Sequence, residues 1–295
     1  MICDQCPRRC QAERDDTKGL GFCKSPALFK IGRHALHPYE EPCVSGEKGS
    51  GTVFFSGCNL QCVFCQNSVI SYENKGKIVS YETLKDIILG LQEKGASNIN
   101  LVTPTHYAHA LIPLLKDVRK ELRIPVLYNS SGYESVGTIE ALAPYVDVWM
   151  PDFKYVSSDL SGKLSNAPDY FEVASQAVPK MVEVSGPVVL DERGLIRKGV
   201  LIRHLVLPGH RDDSMAIFDA LARLVDPQDV LISLMNQYTP DFYRGQDHPE
   251  LKRRLTTFEY ESVVEHALKL GFRGYRQDRS SAVSDYTPDF LEEDV

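Results

Sequence analysis

Cys58, Cys62 and Cys65 stand in the run Gly57-Cys58-Asn59-Leu60-Gln61-Cys62-Val63-Phe64-Cys65, a C-x3-C-x2-C spacing with no cysteine after it. Thiolates are soft ligands that suit zinc and iron–sulfur centres. A closed structural metal site uses four protein ligands, whereas a reactive one keeps a position open. Three thiolates on a four-iron cluster would leave one iron free to bind something else. The alternative for such a triplet is a zinc ion completed by a remote His or Cys. The spacing, the aromatic Phe64 and the strand-like Thr52-Val53-Phe54-Phe55 just ahead favour the open cluster.

A second set lies upstream. Cys3-x2-Cys6-x3-Cys10-x12-Cys23 offers four thiolates, enough for a closed zinc site or a second iron–sulfur cluster. Pro7-Arg8-Arg9 and Gly19-Leu20-Gly21-Phe22 supply turn chemistry that lets the segment wrap an ion. Cys43 stands alone and reads as a buried or idle thiol. His34 and His37 are candidate replacement ligands. All eight cysteines fall at or before position 65 of a 295-residue chain, unlike a secreted disulfide framework. Clustered cysteines in a reducing compartment point instead to metal or catalysis.

The amino terminus has no basic-then-apolar leader, and no run of about 18 apolar residues occurs, so a cytoplasmic chain without a membrane span is expected. The net charge of -7 carries no Lys/Arg block, which argues against a nucleic-acid partner.

The elements that must position these thiols follow from the hydrophobic pattern. Residues 1–50 show no clear period and form a Cys-rich segment that needs a metal to hold its shape. From Gly51 the pattern alternates. Short aliphatic or β-branched runs predict strands over Thr52–Phe55, Asn98–Val102, Pro125–Tyr128, Val146–Met150, Leu201–Leu207 and Val230–Leu234. Helices are predicted over Tyr81–Lys94, Ala108–Leu122, Ser135–Ala143, Tyr170–Val184, Ser214–Val225 and Phe258–Leu268. Ser80 is the expected N-cap of the first and Gly95 its stop. Pro179 predicts a kink or break in the fourth.

Six alternating units imply a parallel sheet with right-handed crossovers, too few for an eightfold barrel. A partly closed barrel and a doubly wound sheet both fit that count. Val188–Arg197, with Asp191-Glu192-Arg193-Gly194 between apolar stretches, predicts an inserted hairpin. The core is expected to span 51–270, with a polar, loosely held tail over 271–295. Thr-Pro-Asp-Phe occurs at 239–242 and again at 287–290 with no repeat period around it.

C-x3-C-x-aromatic-C after a first strand resembles the signature of radical SAM enzymes. The order of elements resembles uncharacterised homologues of pyruvate formate-lyase activating enzyme, from the amino terminus to about residue 270. That resemblance implies an α/β fold, a partial (β/α)6 TIM-like barrel, with a small Cys-rich amino-terminal segment. It implies a 4Fe–4S cluster ligated by Cys58, Cys62 and Cys65, with S-adenosylmethionine (SAM) chelating the fourth iron. One electron would then break the sulfonium–carbon bond, giving methionine and a 5′-deoxyadenosyl radical that abstracts hydrogen. The four amino-terminal cysteines also have counterparts in that homologue family.

The same resemblance carries weaker matches at the other strand ends. The family's Gly-Gly-Glu-type loop is replaced here by Thr103-Pro104-Thr105-His106-Tyr107. Thr103 and Thr105 are candidate SAM contacts through their carbonyls, and His106 reads as an ordinary loop histidine. Asn129-Ser130-Ser131-Gly132 resembles the Asp-Thr-Asn-Gly loop. Asn129 and Ser130 are therefore candidates for the ribose or the methionine carboxylate, or equally turn formers. Asp152 and Lys154 resemble an Asp-x-Lys motif in which lysine pairs with the SAM carboxylate and aspartate orients it; a surface ion pair is the alternative. Pro208-Gly209 resembles a Val-Pro-Gly turn. After the sixth strand, Gln237-Tyr238 lacks the family's histidine. The partners implied are SAM, a low-potential electron donor and, in the narrower form, a glycyl radical enzyme. A different protein or small-molecule substrate is a further reading. The competing class is a non-catalytic metal-binding or electron-transfer module.

Overall fold

The computed structural model describes residues 2–278. Its strands are β1 (Phe29–His37), β2 (Ser50–Phe55), β3 (Lys77–Val79), β4 (Ile99–Val102), β5 (Val126–Ser130), β6 (Val148–Pro151), β7 (Val189–Leu190), β8 (Ile196–Leu205), β9 (Val230–Met235) and β10 (Gly274–Arg276). Its helices are α1 (Pro42–Ser45), α2 (Ser68–Ser71), α3 (Tyr81–Glu93), α4 (Ala108–Val118), α5 (Val136–Leu142), α6 (Ser158–Ser165), α7 (Tyr170–Ser185), α8 (Arg211–Leu224) and α9 (Thr257–Lys269).

One sheet runs in the order β10-β9-β8-β6-β5-β4-β2-β1-β3. The pairs from β2 through β4, β5, β6 and β8 to β9 are all parallel. These are the six strands read from the sequence. The order never returns on itself, so the sheet is an open, partial barrel. β2, β4, β5, β6 and β9 are buried along their whole length, which is why they read as continuous apolar runs instead of alternating ones.

The helices follow the chemistry that marked them. Ser80 accepts from the Thr83 amide at 3.1 Å and starts α3, and Gly95 (φ +88°) takes the left-handed turn after it. Leu84, Ile88 and Leu91 point one face of α3 into the core at no more than 1% exposure. Each such side chain contributes about 1.5–3 kcal/mol relative to exposure. α9 starts with a full capping box between Thr256 and Glu259.

Four differences stand out. β1 lacks a legible period yet pairs antiparallel with β2 through Ala35 and Thr52, so the sheet begins inside the Cys-rich segment. β10 pairs parallel with β9 within the stretch read as polar tail. α6, rich in Ser and Gly, carries Leu160 and Leu164 as its only large apolar side chains and gives too weak a pattern to mark a helix. Pro179 does not break α7, whose buried Ala174, Ala177, Val178 and Met181 hold one continuous helix. The predicted hairpin forms between β7 and β8, with Asp191 accepting from the Arg193 and Leu195 amides. Residues 279–295, including the second Thr-Pro-Asp-Phe, lie outside the described residues.

Candidate active site

The carboxyl ends of the parallel strands converge on one cleft, the position where α/β barrels do their chemistry. It is lined by Cys58, Cys62 and Cys65 on one wall, and by Thr103, Asn129, Ser130, Asp152 and Lys154 from successive strand ends. Of the candidates read from the sequence at these strand ends, Thr105 alone is turned away. It is buried in a 3-10 turn, and its hydroxyl donates to Glu134.

Each sulfur of the triplet has a polar neighbour. The Leu60 amide donates to Cys58 Sγ at 3.3 Å, and the Ser165 hydroxyl donates to Cys62 Sγ at 3.0 Å. Ser71 Oγ lies 3.2 Å from Cys65 Sγ. Burial pushes the Cys58 thiol well above its usual range and raises the Cys65 thiol, and the nearby Cys62 sulfur adds to both. Hydrogen bonds and charge around the sulfurs are the levers by which a protein sets an iron–sulfur potential. Three half-buried thiols, each with a polar neighbour and opening on one cleft, form a donor set that fits such a cluster.

In the same cleft, Lys154 Nζ is 2.6 Å from Asp152 Oδ2. Burial alone would lower the Lys154 pKa, but Asp152 and the Cys62 and Cys65 sulfurs outweigh it and hold the ammonium charged. This is not a loose surface pair: the two side chains are 18% and 22% exposed. Thr103 sits at φ +57°. A β-branched residue in the left-handed region is strained by about 1–3 kcal/mol, a cost concentrated at functional sites. The loop lacks the expected paired glycines, yet its backbone adopts a conformation that glycine would favour.

The cleft also holds groups that the motifs did not flag. Arg203 makes ion pairs with Glu40 at 3.2 Å and Glu41 at 3.1 Å. Glu40 accepts from Asn100 at 2.9 Å, and its burial raises its pKa against the pull of Arg203. An arginine inside an aliphatic strand is the sequence signal for this group, since a lone charge facing a core needs partners. Beneath the cleft, Glu134 touches Thr105 and Tyr128, and its carboxyl is pushed up to about 8 by burial. His106 is fully buried, with Nε2 2.8 Å from the Ser56 carbonyl and its pKa lowered to about 3 by burial.

The amino-terminal set packs behind the triplet. Cys3, Cys6 and Cys23 are buried and Cys10 is exposed. Burial is the largest effect on Cys6, pushing it up to about 12, and the charges of Cys23, Glu134 and Cys3 add to it. Arg14 donates to Cys23 Sγ at 3.2 Å and to the His106 carbonyl at 2.7 Å. Arg8 donates to the Asn59 carbonyl at 2.7 Å and lies 4.0 Å from the centre of the Phe22 ring. At Gly57 (φ +86°) a Cβ would lie 2.2 Å from Ser25 Oγ, so only glycine lets the two segments meet. The sequence marks Arg8 only as part of a turn. Cys43 is buried, as expected, and burial raises its thiol to about 11. His37 lines the cleft, and His34 lies in β1.

Comparison with known proteins gives the same picture. Residues 52–221 match the sequence model of the Radical SAM superfamily. An uncharacterized protein of Methanocaldococcus jannaschii, MJ0674, is 31% identical over 90% of this chain and 74% of its own length. A Haemophilus influenzae protein, whose name proposes it as a glycyl-radical enzyme activating enzyme, is 25% identical over 41% of this chain and 46% of its own. Among solved structures, a radical SAM methyltransferase from Sphaerobacter thermophilus superposes with a TM-score of 0.54 at 17% identity, covering 77% of this chain and 66% of that one. SuiB of Streptococcus suis bound to S-adenosylmethionine gives 0.51 at 15% identity and covers 75% of this chain, which spans about half of SuiB's length (48%).

Proposed function

The chain belongs to the radical SAM superfamily, and on that footing we propose that it is an enzyme that reductively cleaves SAM and abstracts hydrogen from a second molecule. Membership implies a 4Fe–4S cluster and SAM. In our reading Cys58, Cys62 and Cys65 hold the cluster. A cluster bound there supplies the electron that breaks the sulfonium–carbon bond of SAM.

The remaining work falls to side chains of this chain. Asp152 keeps the Lys154 ammonium charged and aimed, so that it can pair with the SAM carboxylate. Asn129 and Ser130 offer short polar groups for ribose hydroxyls or the carboxylate, and Thr103 offers backbone. Leu60, Ser71 and Ser165 tune the sulfurs. The observation that carries this reading is the shared cleft: three thiols and one charged Lys–Asp pair line it together at the carboxyl ends of six parallel strands.

The narrower form is activation of a glycyl radical enzyme, for which a loop of that partner must enter the cleft. The Haemophilus influenzae relative favours it over less than half of either chain. A low-potential donor supplies the electron. The four amino-terminal cysteines hold a second metal, zinc or iron–sulfur, in a segment that buries few apolar groups.

The decisive test is anaerobic reconstitution, reduction and assay of 5′-deoxyadenosine from SAM. Formation by the wild type and none by Cys62→Ala is expected. No turnover from a fully loaded triplet would make the chain a non-catalytic iron–sulfur module. Label transfer from a deuterated candidate partner into 5′-deoxyadenosine then identifies the substrate.

A further inference from the structure

The loops that follow β8 and β9 meet at three side chains outside the cleft. His210, the last residue before α8, faces His248 and Glu250, which flank the start of a 3-10 turn at Pro249–Lys252. One ligand atom from each lies within 4.8 Å of the other two. His210 Nε2 is 3.0 Å from Glu250 Oε1, and His248 Nδ1 is 2.9 Å from the same oxygen. Both imidazoles are largely buried, at 16% and 15% side-chain exposure. Gly209 (φ +81°) lets the backbone come in: a Cβ there would lie 2.8 Å from Glu250 Cγ.

We propose that His210, His248 and Glu250 form a binding site for a divalent transition-metal ion of the zinc class, separate from both cysteine sets. Two imidazoles and one carboxylate are the donor set of three-ligand zinc sites that keep a fourth position open. Bonds of about 2.0–2.2 Å place tetrahedral ligands roughly 3.3 Å apart. The two spacings onto Glu250 need to open only slightly to admit an ion. A purely hydrogen-bonded trio makes two imidazoles share one carboxylate oxygen.

The site has a structural consequence. The segment between β9 and α9 crosses the cysteine triplet. The Arg244 amide donates to the Val63 carbonyl at 2.8 Å, the Arg244 guanidinium donates to Ser68 Oγ at 2.6 Å, and Gln66 donates to the Gln237 carbonyl at 3.0 Å. An ion held by His248, Glu250 and His210 fastens the far end of this strap to the start of α8. The inference does not depend on the reading of the cleft.

The test uses the full chain with its cysteine sites loaded, titrated anaerobically with zinc(II). The expected result is one further zinc whose X-ray absorption shows a nitrogen and oxygen shell with imidazole scattering. Its affinity should fall at least tenfold in Glu250→Gln and in His210→Ala. Zinc should also slow backbone hydrogen exchange over residues 239–252 in the wild type. A further zinc with a sulfur-only shell, or no further zinc in the wild type, overturns the site without any appeal to the variants. Equal affinity in wild type and both variants overturns the ligand assignment.

Discussion

The two cysteine sets differ less in their sulfurs than in what surrounds them. The barrel triplet faces a cleft that it shares with a charged Lys154–Asp152 pair and polar strand ends. The amino-terminal set has Cys3, Cys6 and Cys23 buried and Cys10 exposed, with two arginines bracing it against the barrel. The triplet supplies three thiols and an opening; the upstream set supplies four and no line to the cleft. An open coordination place suits reaction and a filled one suits structure. The two are nonetheless mechanically joined, because Arg8 bonds the carbonyl of Asn59, inside the triplet loop itself.

The sharpest way to break this contrast is a reciprocal pair of variants. Cys62→Ala should bring 5′-deoxyadenosine formation to background while leaving metal at the upstream set. Cys6→Ser should release the upstream metal and retain iron at the triplet, both read by metal analysis. Loss of both metals in either variant would mean one coupled centre. The Cys6→Ser chain should also melt at a lower temperature, because the binding free energy of a structural metal is folding free energy.

Lys154→Met should leave cluster loading unchanged and weaken SAM binding roughly tenfold to hundredfold, the loss of one charged hydrogen bond of about 1.5–3 kcal/mol. Equilibrium dialysis reads it, and unchanged binding would remove Lys154 from the site. Arg8→Ala tests the brace. It should cost about 1–2 kcal/mol from the lost carbonyl bonds and ring contact, a fall of roughly 2–8 °C in Tm. Iron retention at the triplet on mild chelation should fall with it.

A further test concerns Glu134, which is hydrogen-bonded by Thr105 and Tyr128. Its carboxyl titrates near 8 when folded and near 4.5 otherwise. The folded chain therefore binds the extra proton, so this group's stability contribution is full below about pH 4.5 and is lost as pH rises through about 8. Tm of the wild type should fall relative to Glu134→Gln as pH rises from 5 to 8. A pH-independent difference would mean that the carboxyl is ionised in the fold.

Local pattern made the six parallel strands legible, because strands buried on both faces need unbroken apolar runs such as Val230–Met235. Ser80 and Gly95 marked the ends of α3 for reasons of backbone chemistry alone. α6 was illegible since its burial rests on Leu160 and Leu164 meeting a surface built elsewhere. β1 and β10 are sheet edges, and an edge exists only once its neighbour does. The spacing of Cys58, Cys62 and Cys65 marks a candidate metal site because the three thiols sit in one short loop.

Contacts between residues far apart in the chain carry no such signal. The pairing of Arg203 with Glu40 and Glu41, the strain at Thr103, the brace from Arg8 and the meeting of His210 with His248 and Glu250 depend on chain crossings. The sequence alone determined which atoms could bind a metal and which segments would form the sheet, since both follow from residue type at short range. Only the tertiary structure decided which charges share a cavity, because that is set by where packed elements bring their ends together.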